Sequence, residues 1–203
     1  MDDSADARAL GAERGLSILP GTLPDNLPFE PASCDAVILS DVLEHVEADR
    51  ASVLAVADTL RPGGLLIATV PAHPFLWTKR DEFHHHKRRY TARAFRALFE
   101  NAPLEPIVFS YYNSALFPAL AAVRLAKKTL GLDRAAPDIR PLPGPLNGAL
   151  RALFEVEKHI LPRARLPFGA SLIAVCRRRP VPAPRNAPAD TQPRPGEPAL
   201  ASS

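Results

Sequence analysis

Four stretches of the chain read as strands: "DAVILS" at 35–40, "LLIATV" at 65–70, "EPIVFSYY" at 105–112 and "SLIAVCRR" at 171–178. The first is apolar almost throughout rather than alternating, which predicts a strand covered on both faces, as in a parallel sheet flanked by helices. Between the first two runs the period lengthens. Val53, Leu54, Val56, Ala57 and Leu60 fall mostly on one face of a helix over roughly 47–60, leaving Asp49, Arg50 and Asp58 to water. Pro62 cannot continue that helix, and Gly63-Gly64 permit a left-handed turn into the next strand. Strand, helix and strand at this spacing make a right-handed crossover with parallel strands, so the predicted class is doubly wound α/β.

The remaining pattern is helical or punctuated. Residues 4–14 predict a short helix with Ser4 as N-cap, "LSIL" at 16–19 a short strand, and "PGTLPDNLPFEPAS" a proline-rich loop. Thr91 caps a helix whose buried stripe is Phe95, Leu98 and Phe99. Residues 114–130 predict an amphipathic helix with Leu116, Phe117, Leu120 and Val123 as its apolar positions. "PLNGALRALFEVEKHILP" predicts another, with Pro145 in its first turn and Leu146, Leu150, Leu153, Phe154 and Glu157 along one side. A domain over 1–179 is therefore expected to be followed by a disordered Pro/Ala-rich tail over 180–203.

Composition narrows the class without naming a function. At 203 residues, 46% hydrophobic and 23% charged, the chain can bury a single core. A net charge of +3 gives no argument for a nucleic-acid partner, and none is expected. Cys34 and Cys176 lack both disulfide-scaffold numbers and metal-ligand spacing, so two reduced thiols are expected. The opening "MDDSADARALGAERG" is acidic where a leader would be basic, and "SALFPALAAV" at 114–123 is too short to span a bilayer. The expected location is the cytoplasm, with membrane association only by peripheral contact through 114–130.

"LPF", "CDAVILSDVLEHV", "LRPGGLLIATVP", "HKRRYT" at 86–91 and "LPFGASLIAVCRR" at 166–178 occur in an order and at spacings that resemble class I S-adenosylmethionine-dependent methyltransferases of the small-molecule type. The resemblance covers most of residues 2–178. It implies a Rossmann-like sheet of seven strands whose antiparallel last strand lies beside the fifth. On that template 16–19 resembles the third strand, 35–40 the fourth, 65–70 the fifth, 105–112 the sixth and 171–178 the seventh. The first strand and its glycine loop have no match, so the chain reads as N-terminally truncated, a fragment expected to bind the cofactor weakly and to be inactive as written.

The resemblance also implies a cofactor, S-adenosylmethionine, and residues to hold it. Asp2 resembles the acidic residue that grips the ribose hydroxyls; read from the residues alone, it equally well begins a helix, where an acid suits the dipole. Thr22 stands nearest to the position of the adenine acceptor. Ser40 and Asp41 lie at the carboxyl end of their strand, where open α/β sheets bind ligands. "DVLEH" resembles the E-x-x-E-H of quinone-pathway O-methyltransferases, which makes Asp41, Glu44 and His45 a candidate cation site. The alternative leaves Glu44 and His45 as ordinary first-turn residues. His86 in "HHHKRRYT" is the candidate base or substrate contact, against a plain solvated charge run.

The function these signs imply is methyl transfer to a small or lipid-like acceptor. Its competitor is a non-catalytic remnant of the fold, acting as an interaction or membrane-surface module. Oligomeric state is not legible.

Overall fold

A computed structural model describes residues 1–133 and 144–180. Helix α1 (Ala5–Glu13) starts where expected, with the Ser4 side chain accepting from the Ala7 N–H. Strand β1 (Cys34–Ser40) is followed by a single 3₁₀ turn at Leu43–His45, helix α2 (Asp49–Thr59) and strand β2 (Leu60–Pro71). Two short helices, α3 (Lys79–Phe83) and α4 (Ala92–Ala97), lead to strand β3 (Leu104–Tyr112). Helices α5 (Phe117–Thr129) and α6 (Gly144–Ile160) then precede strand β4 (Ser171–Arg178). The expected tail from 180 onward lies almost wholly outside the described residues.

The sheet order is β1-β2-β4-β3, with β1 and β2 parallel and β4 antiparallel to both of its neighbours. This is the predicted arrangement: the last strand inserts beside 65–70 and sends 105–112 to the edge. Gly63, at φ +85°, bends the chain inside β2, where the pairing with β1 shifts register between Leu60 and Leu65. At Gly64 a Cβ would stand 2.9 Å from the Arg61 carbonyl and 3.0 Å from that of Asp35, so only glycine lets the two strands close up.

Helices α2 and α4 pack on one face of the sheet. Val53, Val56, Ala57, Phe95, Leu66, Ala68, Val70, Leu172 and Ala174 make a continuous core between them. Each fully buried valine, leucine or phenylalanine side chain there contributes about 1.5–3 kcal/mol.

Three expectations fail. Ile38 is 65% exposed, so β1 is not covered on both faces; its apolar run marks one buried face and one open one. Residues 16–19 form no strand; only a single parallel bridge, Asp2 to Pro20, stands in the place assigned to the third strand. Asp49 is not turned to water but receives Arg88 and Tyr90, because the chain after β2 folds back over the start of α2. Helix α5 forms within the predicted 114–130, with no residue fully buried: Leu120 and Val123 are exposed, and it docks through half-buried Phe117 and Arg124. Both cysteines are free thiols, as expected.

Candidate functional site

The carboxyl ends of β1 and β2 lie side by side, and the segment 86–90 is laced across them. Tyr90 bridges Ala72 in parallel, its N–H reaching the Pro71 carbonyl at 3.0 Å, while His73 N–H reaches the Tyr90 carbonyl at 2.9 Å. The Lys87 N–H donates to the Glu44 carbonyl at 2.7 Å. The Tyr90 hydroxyl sits 3.1 Å from the Leu43 carbonyl and 2.8 Å from Asp49 Oδ2. Burial and the Asp49 carboxylate push that phenol far above its ordinary range, so it is a neutral clamp. "HKRRYT" is thus a structural strap over "LEHVEAD", and the plain solvated-run reading fails for His86, Arg89 and Tyr90.

At the centre of the strap is Asp81, 2% exposed. Its Oδ1 accepts from Arg89 Nε at 2.8 Å, lies 2.7 Å from Arg89 Nη2 and stands 3.0 Å from His86 Nδ1. Its Oδ2 accepts from the Thr78 N–H at 2.9 Å and the Thr78 hydroxyl at 3.1 Å. Burial alone would raise this carboxyl, but the Arg89 hydrogen bond and charge, with Thr78, hold it below its ordinary 3.8. Sequence reading passed over this hub, although the T-x-x-D spacing of "TKRD" is a capping-box pattern that marks such a turn.

His86 is mostly buried. Burial lowers its pKa, helped by the nearby His45 and only partly opposed by Asp81, so the ring is neutral near pH 7. His45 and His86 meet edge to face with centroids 4.7 Å apart. Glu44 beside them is wholly buried, and neither of its carboxylate oxygens has a hydrogen-bond partner. Burial pushes its carboxyl up to about 7; its own backbone N–H offsets part of this, and the negative charge of Asp41 adds to it. Glu44, His45 and His86 bring one ligand atom each within 4.8 Å of one another. The set proposed from sequence, Asp41 with Glu44 and His45, does not form: the 3₁₀ turn carries Glu44 inward, and His86 takes the place given to Asp41.

Asp41 itself turns the chain at the end of β1 with φ +51°. Its N–H donates to the Thr69 carbonyl at 3.1 Å, and its Oδ1 accepts from the Thr69 hydroxyl at 3.3 Å. Asp41 and Ser40 are exposed at the strand end. The Tyr112 phenol, at the end of β3, is raised first by burial and then by the charge of Asp41. So the ends of β1, β2 and β3 converge at Asp41, Thr69 and Tyr112. Asp2 and Thr22 are placed apart from this point: the Asp2 carboxylate accepts from the Ser4 N–H at 2.9 Å, and Thr22 pairs with Asn26. A groove of about 330 Å³ runs along the open face of β1 between them, lined by Met1, Leu27, Ile38 and Val42 among others.

His73 follows β2 with φ +64° and stands 2.9 Å from the Gly169 carbonyl through Nε2. It stacks on Tyr111 and Phe117, with centroids 5.3 and 4.8 Å away, and lies 5.2 Å from Phe75. Phe168 extends the group, and both Phe75 and Phe168 are exposed. A Cβ at position 169 would collide with the Tyr112 carbonyl, so glycine lets this loop close against β3. Burial holds the His73 pKa below its ordinary value, against the pull of the Gly169 carbonyl.

Residues 2–68 match a family model described as a methyltransferase domain. Among curated proteins, none matches. Solved structures do. A SAM-dependent methyltransferase of Thermotoga maritima matches at TM-score 0.54 and 15% identity, over 88% of this chain and 72% of that one. A methyltransferase of Bacillus halodurans matches at 0.52 and 15%, over 87% and 80%. A chain from the complex of the Haloferax volcanii Trm112 methyltransferase activator with a methyltransferase matches at 0.51 and 16%, over 88% and 70%. Residues 2–68 thus match a methyltransferase domain, and the fold of the chain resembles that of S-adenosylmethionine-dependent methyltransferases.

Proposed function

We propose that the chain serves S-adenosylmethionine-dependent methyl transfer to a small or lipid-like acceptor. The observation that carries this reading is what gathers at the strand ends: an exposed acid, Asp41, after β1, and an aromatic group around His73 after β2. The first suits a polar, charged cofactor and the second an apolar or aromatic acceptor.

Asp2, Thr22, Ser40 and Asp41 would hold the cofactor, and the apolar groove beside β1 has room for a ring system. The fit is partial, since among the described residues no glycine-rich loop faces Ser40 and Asp41. The cofactor, when bound, supplies an already activated methyl group, so the protein's task is positioning and exclusion of water. His86 would be an acceptor contact rather than a required base, a reading supported by the Asp81 hydrogen bond that fixes its ring. Helix α5 would meet an amphipathic acceptor or a membrane surface through exposed Leu120, Val123 and Leu125 beside Lys127 and Lys128. No helix of the described residues is long and apolar enough to cross a membrane. The open face of β1, with Ile38 exposed, supports the competing reading of an interaction module.

Ligand-observed saturation-transfer NMR with S-adenosylhomocysteine tests the cofactor part, because it detects weak binding. Transfer to the adenine protons is expected, and its loss in Asp2→Ala/Asp41→Ala. Absence of transfer in the unaltered chain leaves the interaction module. Flotation that recovers as much chain with neutral as with anionic vesicles would remove the membrane role of α5.

A further inference from the structure

We infer that Glu44, His45 and His86 form a binding site for one divalent transition-metal ion. Two observations carry it independently of the methyl-transfer reading. The first is geometric. Three side chains from two segments 41 residues apart converge so that one donor atom of each lies within 4.8 Å of the others. Donors held at about 2.1 Å around a tetrahedral ion stand about 3.4 Å apart, so the set closes on an ion with small side-chain rotations.

The second is the state of Glu44. Its side chain is 0% exposed, and both oxygens lack any hydrogen-bond partner. A buried carboxylate without partners costs free energy, and native structures resolve that cost with a donor, a proton or a cation. Two imidazoles, themselves ligands, lie within 4.8 Å of it, while Arg89, Asp41 and Asp81 are near enough to act on its charge without hydrogen-bonding to it.

The surroundings are organised as an ion requires. His86 Nδ1 is 3.0 Å from Asp81 Oδ1, so the proton sits on Nδ1 and the Nε2 lone pair is left for a metal. Asp81 is in turn pinned by Arg89 and Thr78, which holds the imidazole in one orientation. The Lys87 N–H bond to the Glu44 carbonyl ties the two contributing segments together beside the ligands. His45 is exposed, so the set is open toward solvent on that side and an ion would keep a position for water. One carboxylate with two imidazoles suits zinc, cobalt or nickel; magnesium and calcium prefer oxygen throughout.

The test is a Zn²⁺ titration of the metal-free full chain, purified without a histidine tag and followed by calorimetry and thermal unfolding. One ion per chain is expected, with a rise in Tm. Glu44→Gln and His86→Gln should each weaken binding by more than the roughly ten- to hundredfold that loss of a supporting partner costs. The His84→Gln/His85→Gln pair should leave it unchanged, which separates the site from the exposed part of the histidine run. Gln has the size of Glu, so the metal-free Glu44→Gln chain should melt no lower than the parent, and lost binding cannot be charged to unfolding. Cobalt would report an ordered site through its visible d–d bands. The inference is overturned by absence of saturable binding in the parent chain, by unaltered binding in Glu44→Gln, or by binding that follows His84 and His85 instead of His86. None of these readouts involves S-adenosylmethionine, so failure of the methyl-transfer reading leaves this result standing, and the reverse.

Discussion

Asp81 and Glu44 are buried to the same degree, 2% and 0% exposed, yet they sit in opposite electrostatic states. Asp81 has five donor contacts, including a fork from Arg89, and its carboxyl is held below the ordinary range. Glu44 has none, and its carboxyl is pushed up to about 7. Burial acts on both in the same direction. What separates them is whether charged or polar donors converge on the carboxylate, so burial alone says nothing about the charge a buried acid carries. A third buried acid is Glu157. Its oxygens accept from the backbone N–H groups of Asn113 and Ser114, both at 2.6 Å, and of Ala115 at 3.1 Å, just before α5.

Three substitutions break or sharpen this contrast. The largest effect is expected from Asp81→Asn. It strands the buried Arg89 guanidinium without its counter-charge, which costs about 3–5 kcal/mol of stability. Urea unfolding at pH 7 measures it. A loss under about 1 kcal/mol would mean that the hub is dispensable and that packing alone holds the strap.

Glu44→Gln comes next and has the opposite sign. In the metal-free chain the folded carboxyl titrates at about 7 against an ordinary 4.5. Between those values the folded state holds a proton that the unfolded state has released, so stability falls as pH rises through the window. The Gln variant should lack that slope and gain about 3 kcal/mol over the parent at pH 8, with little difference at pH 4. Asp81 runs the other way: its folded pKa is depressed, so its contribution is present above the ordinary 3.8 and disappears as pH falls below it. Parallel pH slopes in parent and Glu44→Gln would show that Glu44 finds a donor in solution.

The smallest effect belongs to Glu157→Gln. One of its two accepting oxygens becomes an amide NH₂ facing backbone N–H groups, and the charge at the start of α5 is lost, for about 1–2 kcal/mol. Hydrogen exchange should show this locally, as faster exchange at Asn113, Ser114 and Ala115. Unchanged protection at those three amides would assign the cap to other groups.

The sheet was legible because its signals are local. Apolar runs at 35–40, 65–70, 105–112 and 171–178, and the Pro62-Gly63-Gly64 turn, each follow from the conformational preferences of a few neighbouring residues. The resemblance to methyltransferases supplied the strand order that these runs could not set by themselves. Ser4 and Thr91 were readable as caps for the same local reason. The failures share a cause too. Whether Ile38 meets a helix or solvent, and whether Asp49 meets water or Tyr90, depends on chain segments far away in sequence.

The candidate site divides along that line. Sequence by itself determined that Ser40 and Asp41 stand at a strand end, that Glu44 and His45 are adjacent, and that His86 lies in a basic run. Tertiary structure alone decided that His86 replaces Asp41 beside Glu44, that Asp81 and Arg89 neutralise each other, and that Glu44 is left without a partner. The physical reason is the range of the interactions. Backbone conformation is set by neighbours a few residues away, whereas the energy of a buried charge is set by whichever donors the fold brings within about 4 Å, and those come from any part of the chain.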